Sequence, residues 1–151
     1  MAYFEDMSPC TYFGNWSDRL VSVGWLVPER EFVTGDVSDE FFEALFSMLR
    51  KPWQPFVTAG HEPCKFCRFT HGPTILKYVG EEVSIGTNNL FVPDGERAFV
   101  TPSSILHYID SHKYQPPAEF QAAVLRESSS SSIDLFKKLK SIGITQQKDA
   151  S

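Results

Sequence analysis

Apolar residues recur at helical spacing in one stretch of the chain, SDEFFEALFSMLRKPW at residues 38–53. Five of them would share one side of a helix: Phe41, Phe42, Leu45, Phe46 and Leu49. Ser38 or Asp39 can cap the N-terminus, acidic residues occupy the first turn, and Pro52 provides a stop after basic residues. The pattern predicts an α-helix, the one with the clearest start and stop signals in the chain.

Residues typical of β-strands occupy two other parts of the chain. RLVSVGWLVP, at residues 19–28, is rich in β-branched and aromatic residues and predicts one strand that stops at Pro28. TILKYVGEEVSIGTNNLFVPDGERAFVTP, at 74–102, contains three short β-like runs, separated by Gly86 with its polar neighbours and by PDGE. We expect these runs to form an antiparallel meander whose last hairpin turns at Asp94 and Gly95.

Two further helices are predicted after the meander. Thr101 is placed to cap the first of them, with Pro102 at its first helical position, and Pro116 and Pro117 start the second. Together the elements predict an α+β fold, in which a small antiparallel β meander packs with about three α-helices.

The composition changes at Ser128, where five consecutive serines begin. We interpret residues 1–127 as a single globular domain, 128–132 as a serine linker and 133–151 as a C-terminal tail, partly helical or disordered. The tail sequence IDLFKKLKSIG can form one or two amphipathic turns, so it could dock on the domain, bind a partner or stay mobile. Mobility is the usual state of a terminus with this composition.

Composition and charge exclude several classes of protein. The 151 residues are 42% hydrophobic, which is enough for a core that folds without a metal or a disulfide. A formal net charge of -5 disfavours nucleic acid and anionic lipid as partners. The first residues, MAYFEDMSPC, lack the basic and apolar regions of a signal peptide. No run of about 18 apolar residues occurs either, so we expect a cytoplasmic protein without a membrane span.

Two of the three cysteines and one histidine fall within GHEPCKFC, residues 60–67. Cys64-x-x-Cys67 can present two sulfurs to one ion from a tight turn, and His107-x-x-x-x-His112, further along the chain, can complete a tetrahedron. The spacing is that of a Cys2His2 zinc site with a long insert, and it predicts a Cys/His metal knuckle with a structural Zn2+ ion. Spacing alone equally allows two structural thiols, whereas a thioredoxin-like redox pair is disfavoured because no βαβ unit surrounds the motif.

The two histidines do not share a face of a straight helix. His112 lies on the apolar stripe, whereas His107 faces a different side. Either the helix distorts near its end at Tyr114, or only one of the two binds the metal and His61, three positions before Cys64, supplies the fourth donor.

With these motifs, the chain resembles a family of uncharacterised bacterial proteins, a domain of unknown function. The matching segments are YFEDMSPC (3–10), VGWL (23–26), FVTGDVSDEFFEAL (32–45), GHEPCKFC (60–67) and NLFVPDGERAFVTPSSILHYIDSHKYQPPAEFQAAV (89–124). The resemblance implies one small, intact domain and no known activity. It places five candidate ligands at motif positions: His61, Cys64, Cys67, His107 and His112.

The chain departs from the family pattern at two points. The pattern has one residue between its histidine and its first cysteine, where this chain has Glu62 and Pro63, so the match is weakest at His61. Cys10 stands where the family has a tyrosine, which indicates a buried apolar position rather than a metal ligand.

The motifs favour a structural metal over a catalytic one. Glu62 and Asp110 are the acids within sequence reach of the site, and neither belongs to an HExxH motif or to the HxE and PCxxC pattern of zinc deaminases. We therefore expect a small zinc-stabilised, non-enzymatic interaction or accessory protein that binds a protein partner through an acidic, aromatic surface. The alternative is a metal-dependent, hydrolase-type enzyme with an open Cys/His zinc site and Glu62 as general base. Aromatic side chains at the surface could anchor such a partner, although most aromatic residues in a chain of this composition belong to the core. The candidates are Tyr12, Phe13, Trp16, Trp53 and Tyr114.

Overall fold

The computed structural model describes residues 3–10, 19–50, 64–67, 75–86 and 89–144. The elements follow the order β1 (Leu20–Ser22), α1 (Asp39–Arg50), β2 (Ile75–Tyr78), β3 (Glu81–Ser84), β4 (Asn89–Asp94), β5 (Arg97–Pro102), α2 (Ile105–His112), α3 (Ala118–Glu127) and α4 (Ser132–Ser141). The α+β class predicted from the sequence is confirmed.

The strands of the described residues form two sheets. In the larger sheet the order is β1-β5-β4, with β1 parallel and β4 antiparallel to the central β5. The smaller sheet is the antiparallel hairpin β2-β3. Segment 74–102 therefore contains four strands where the sequence predicts three runs, because Val79 and Gly80 turn the chain within the first run at φ 49° and 79°. The predicted turn after Asp94 is confirmed, since Asp94 pairs with Arg97 across it.

The larger sheet is buried on both faces because its residues alternate between two apolar clusters. One cluster joins the sheet to the helices α1, α2 and α3, and it includes Val92 and Phe99. The other cluster lies on the opposite face of the sheet, where α4 packs, and includes Phe91 and Val100. Cys10, which the sequence assigns to an apolar position, is fully buried in this second cluster.

Helix α1 starts as predicted, since the Ser38 hydroxyl accepts a hydrogen bond from the Phe41 N–H at 3.1 Å. The predicted start of α2 is wrong. Thr101 and Pro102 end strand β5, and the helix begins at Ile105. The strand can include Pro102 because β1 pairs only with residues 98–100, so no strand partner on that side requires its missing N–H.

The first strand is also shorter than predicted. It ends at Ser22, well before Pro28, because the chain takes a left-handed turn at Gly24 with φ 79°.

Helix α3 ends at Glu127, and the segment after it docks on the domain. Leu135 and Leu139 of α4 are 8% and 0% exposed. Of the three fates that the sequence leaves open for the tail, docking is the one found for residues 132–144.

Candidate metal centre

The two cysteines lie at the ends of a tight turn over residues 64–67. The Cys67 N–H donates to the Cys64 carbonyl at 3.3 Å. The backbone N–H groups of Phe66 and Cys67 also hydrogen-bond to the side chain of Cys64 and favour its thiolate form. A turn of this kind orients both sulfurs. Its backbone N–H groups can also hydrogen-bond to a cysteine sulfur that binds a metal, as groups around metal ligands commonly do.

Phe66, inside the Cys-x-x-Cys motif, fixes this turn against helix α2. Its ring lies 5.7 Å from the ring of Tyr108 and 5.2 Å from the imidazole of His112. On its other side it contacts Phe32 at 5.5 Å. The cysteine turn is therefore held next to the histidine helix by aromatic packing as well as by any shared ion.

Helix α2 is distorted at its end, where His112 is its last residue. The N–H of Lys113 donates to the carbonyl of Tyr108, five residues back rather than four, and the N–H of Tyr114 donates to the same carbonyl at 3.1 Å. Lys113 adopts the left-handed conformation with φ 58°. The widened turn reduces the rotation per residue and brings His112 towards His107, so their ring centroids lie 5.0 Å apart.

The four side chains converge on one point. Nε2 of His107 lies 3.2 Å from Sγ of Cys67, and Nε2 of His112 lies 3.6 Å from each of the two sulfurs. All four donor atoms lie within 4.8 Å of one another. In a tetrahedral site with Zn–S near 2.3 Å and Zn–N near 2.0 Å, each S···N edge is about 3.5 Å. The three S···N distances therefore match the edges of a tetrahedron that could hold a metal ion.

The directions of the pKa shifts at this site are compatible with the binding of a cation. Burial raises the pKa of the Cys64 thiol to about 11, so without a metal this sulfur keeps its proton. Burial also lowers the pKa of both imidazoles, and at His107 the nearby His112 lowers it further. Neutral imidazoles offer a free lone pair at neutral pH, and an ion that binds here must displace the thiol proton.

The structure thus brings together Cys64, Cys67, His107 and His112 among the predicted ligands. His61 and the proposed base Glu62 lie outside the described residues. Asp110, the other acid considered, is exposed on α2.

One feature of the site is not evident from ligand spacing, and a second was only one of two alternatives. Phe66 acts as a packing anchor, and the only sequence signal for it is an aromatic residue inside the cysteine motif. The widened end of α2 is the distortion near Tyr114 that the separate faces of the two histidines left open as one of two alternatives, although Lys113 itself, an ordinary residue at a left-handed position, gives no local signal for it.

Comparison with known families identifies one family for this chain. The model of a domain of unknown function, DUF7919, matches residues 2–125, which include all four clustered Cys and His residues and end just before the end of α3. The chain belongs to the DUF7919 family. No curated protein and no solved structure matches it. Within the described residues, no helix combines the length and the apolar character needed to cross a membrane.

Proposed function

We propose that Cys64, Cys67, His107 and His112 bind one structural zinc ion, and that the protein is a non-enzymatic interaction module. The observation that carries the proposal is the match between the three S···N distances of 3.2–3.6 Å and a tetrahedral S2N2 site. Two thiolates and two imidazoles in a tetrahedron suit zinc better than magnesium or calcium, which take oxygen ligands.

The donor count favours a structural ion over a catalytic one. A catalytic zinc ion has three protein ligands and an open position for water, whereas four protein donors close the site. The donors also come from segments far apart in the sequence, and two of them, Cys64 and His107, are 5% and 4% exposed. An ion held in this way joins the cysteine turn to the end of α2 and stabilises the domain.

The partner that we propose is a protein, in a reducing compartment such as the cytoplasm. Zinc thiolates persist where cysteines stay reduced. The formal net charge of -5 opposes binding to nucleic acid. Tyr114, one of the aromatic anchors considered from the sequence, is fully buried and does not contribute to a binding surface.

Metal analysis of the purified full chain tests the site. We expect one zinc per chain, and the X-ray absorption spectrum of the bound ion should fit two sulfur and two nitrogen neighbours. Cys64→Ala should lose the zinc, whereas Cys10→Ala should retain it because Cys10 lies in the other cluster. Absence of zinc from the wild type would reject the site, and an oxygen neighbour in place of one donor would support the hydrolase-type alternative.

The interaction role is tested separately by affinity capture from a lysate of the source organism. Zinc-loaded wild type should retain a defined protein at a constant ratio, and the retained protein should then bind the purified module in a two-component assay. Cys64→Ala serves as the control bait. Loss of binding in the purified pair would contradict the interaction role while leaving the zinc site intact.

A further inference from the structure

Helix α4 covers a face of the larger sheet that is otherwise apolar. Leu139 lies in α4, and Ile144 follows the turn that ends this helix. Both side chains are 0% exposed. They share the second apolar cluster with Cys10, Leu20, Trp25, Phe91, Ala98 and Val100. We call this sheet face, together with Glu127 at its margin, the α4 groove. The six apolar groove residues lie inside the family match, whereas α4 lies beyond residue 125.

The segment 131–144 carries its own start and stop signals. The Ser131 hydroxyl accepts a hydrogen bond from the Asp134 N–H at 3.1 Å, which caps the N-terminus. At the other end the N–H of Ile144 donates to the Leu139 carbonyl at 2.9 Å, and the N–H of Gly143 donates to the Lys140 carbonyl at 3.0 Å. With Gly143 at φ 87°, these two bonds form a Schellman motif.

This C-terminal motif also positions the side chains for binding. A Schellman motif brings the residue after the glycine into contact with the third residue from the helix end. Here those residues are Ile144 and Leu139, the two that enter the groove. The binding face of the helix is therefore set by local sequence and does not depend on its connection to α3.

Charge complementarity supplies the second contact between α4 and the domain. Glu127 is 2% exposed, and the Lys138 ammonium lies 2.7 and 3.0 Å from its two carboxylate oxygens. Residues 132–151 hold four lysines and two aspartates, so removal of their +2 from the total of -5 leaves -7 on the rest of the chain. Lys138 therefore meets a buried carboxylate at the margin of the groove, which Arg126 also contacts at 3.1 Å, on a chain whose remainder is net acidic.

We propose that the α4 groove is a docking site for a basic amphipathic helix, and that α4 is its intramolecular occupant, exchangeable for a partner helix of the same pattern. The pattern has leucines at Leu135 and Leu139, a lysine at Lys138 and a Gly-Ile pair at the end. The described contacts that hold α4 come from a short segment: Leu139 and Ile144 in the second cluster with Ile142 beside them, Leu135 in the first cluster, and the Lys138–Glu127 ion pair. Exchange is feasible because terminal elements with few buried contacts open before the core does. The inference deepens the interaction role proposed above but does not depend on the metal, since no groove residue is a zinc ligand.

A labelled peptide of residues 131–144 tests the groove on the full chain. Wild type should bind it at least ten-fold more weakly than Leu139→Asp, because the tethered α4 competes at high effective concentration. A peptide that itself carries Leu139→Asp should not bind either protein. Circular dichroism and zinc content show whether the protein variant is folded, and Leu139→Ala replaces it if it is not.

The wild type provides an arm that needs no variant. Millimolar unlabelled peptide should displace α4 and shift the NMR amide signals of residues 132–144 while the zinc stays bound. Unchanged amide signals, or folded variants that do not bind the peptide, would overturn the proposal. A concentration-dependent dimer of the wild type that already occupies the groove would instead assign the exchanging helix to a second copy of the chain. None of these results alters the metal analysis, so failure here is distinct from failure of the zinc site.

Discussion

Removal of the proposed zinc ion should lower the melting temperature of the protein without unfolding it at 25 °C. The ion would link residues that lie far apart in the chain, such as Cys67 and His107, which are 40 positions apart. Treated as a cross-link that closes a loop of this length, it restricts the unfolded chain by about 4 kcal/mol. For a chain of this size, each kcal/mol shifts the melting temperature by roughly 2–4 °C, so we expect a decrease of roughly 8–16 °C.

The expected loss is close to this cross-link because Cys64, His107 and His112 do not leave buried charges behind when the ion is removed. Burial raises the pKa of Cys64 to about 11, so its sulfur takes up a proton when the ion leaves. Both imidazoles are neutral at pH 7 because their pKa values are lowered by burial. The first apolar cluster remains in place and maintains the fold.

Calorimetry of the zinc-loaded and chelated protein measures the shift, and zinc addition should restore the original melt. Cys64→Ala should melt like the chelated wild type and should no longer respond to chelator. Cys10→Ala, the matched control, should keep the full response to chelator. An unchanged melt after verified zinc removal would refute the cross-link, and complete loss of secondary structure at 25 °C would refute a core that folds without the metal.

Three further perturbations test other parts of the structure. Val79→Asn should stabilise the β2-β3 hairpin by roughly 1 kcal/mol, as measured by urea unfolding. Val79 is 81% exposed at φ 49°, where asparagine is favoured and a β-branched residue is strained. A loss of stability would contradict this account of the turn. Burial raises the pKa of Glu127, but hydrogen bonds from Lys138 and other donors lower it by more, so the resulting pKa lies below the ordinary value of 4.5. The stability that the Glu127 carboxylate contributes should therefore be complete above about pH 4.5 and should be lost as the pH falls through the lower pKa of the folded state. Glu127→Gln should flatten unfolding curves across that acid range, and an unaltered pH dependence would argue against the ion pair. Phe66→Ala should cost about 2 kcal/mol, less than a fully buried phenylalanine, and weaken zinc binding in a competition titration; retention of full zinc affinity would show that its packing does not position the turn.

The sequence specified the features that depend on near neighbours. The apolar spacing and the Ser38 cap defined α1, and the Asp94-Gly95 turn defined the last hairpin, because these signals act within a few residues. Spacing also pointed to the Cys-x-x-Cys turn, which forms locally, but it left open which of His61, His107 and His112 would join the two cysteines. Ligand spacing could not show that both histidines face the same point, because that depends on the widened end of α2.

Tertiary contacts decided the remaining structure, and each case has the same physical cause. Thr101 and Pro102 carry the local signals of a helix start, yet pairing with β4 keeps them in strand β5. The parallel pairing of β1 with β5 joins segments far apart in the sequence and leaves no periodic signal. The tail has the composition of a mobile terminus, but the apolar face of the sheet offers Leu139 and Ile144 a buried surface and orders α4. In each of these segments the free energy from local helix or strand propensity is small compared with that from burial of apolar surface. The sequence therefore determined where helices and strands could form, and packing against the assembled sheet decided which of them formed.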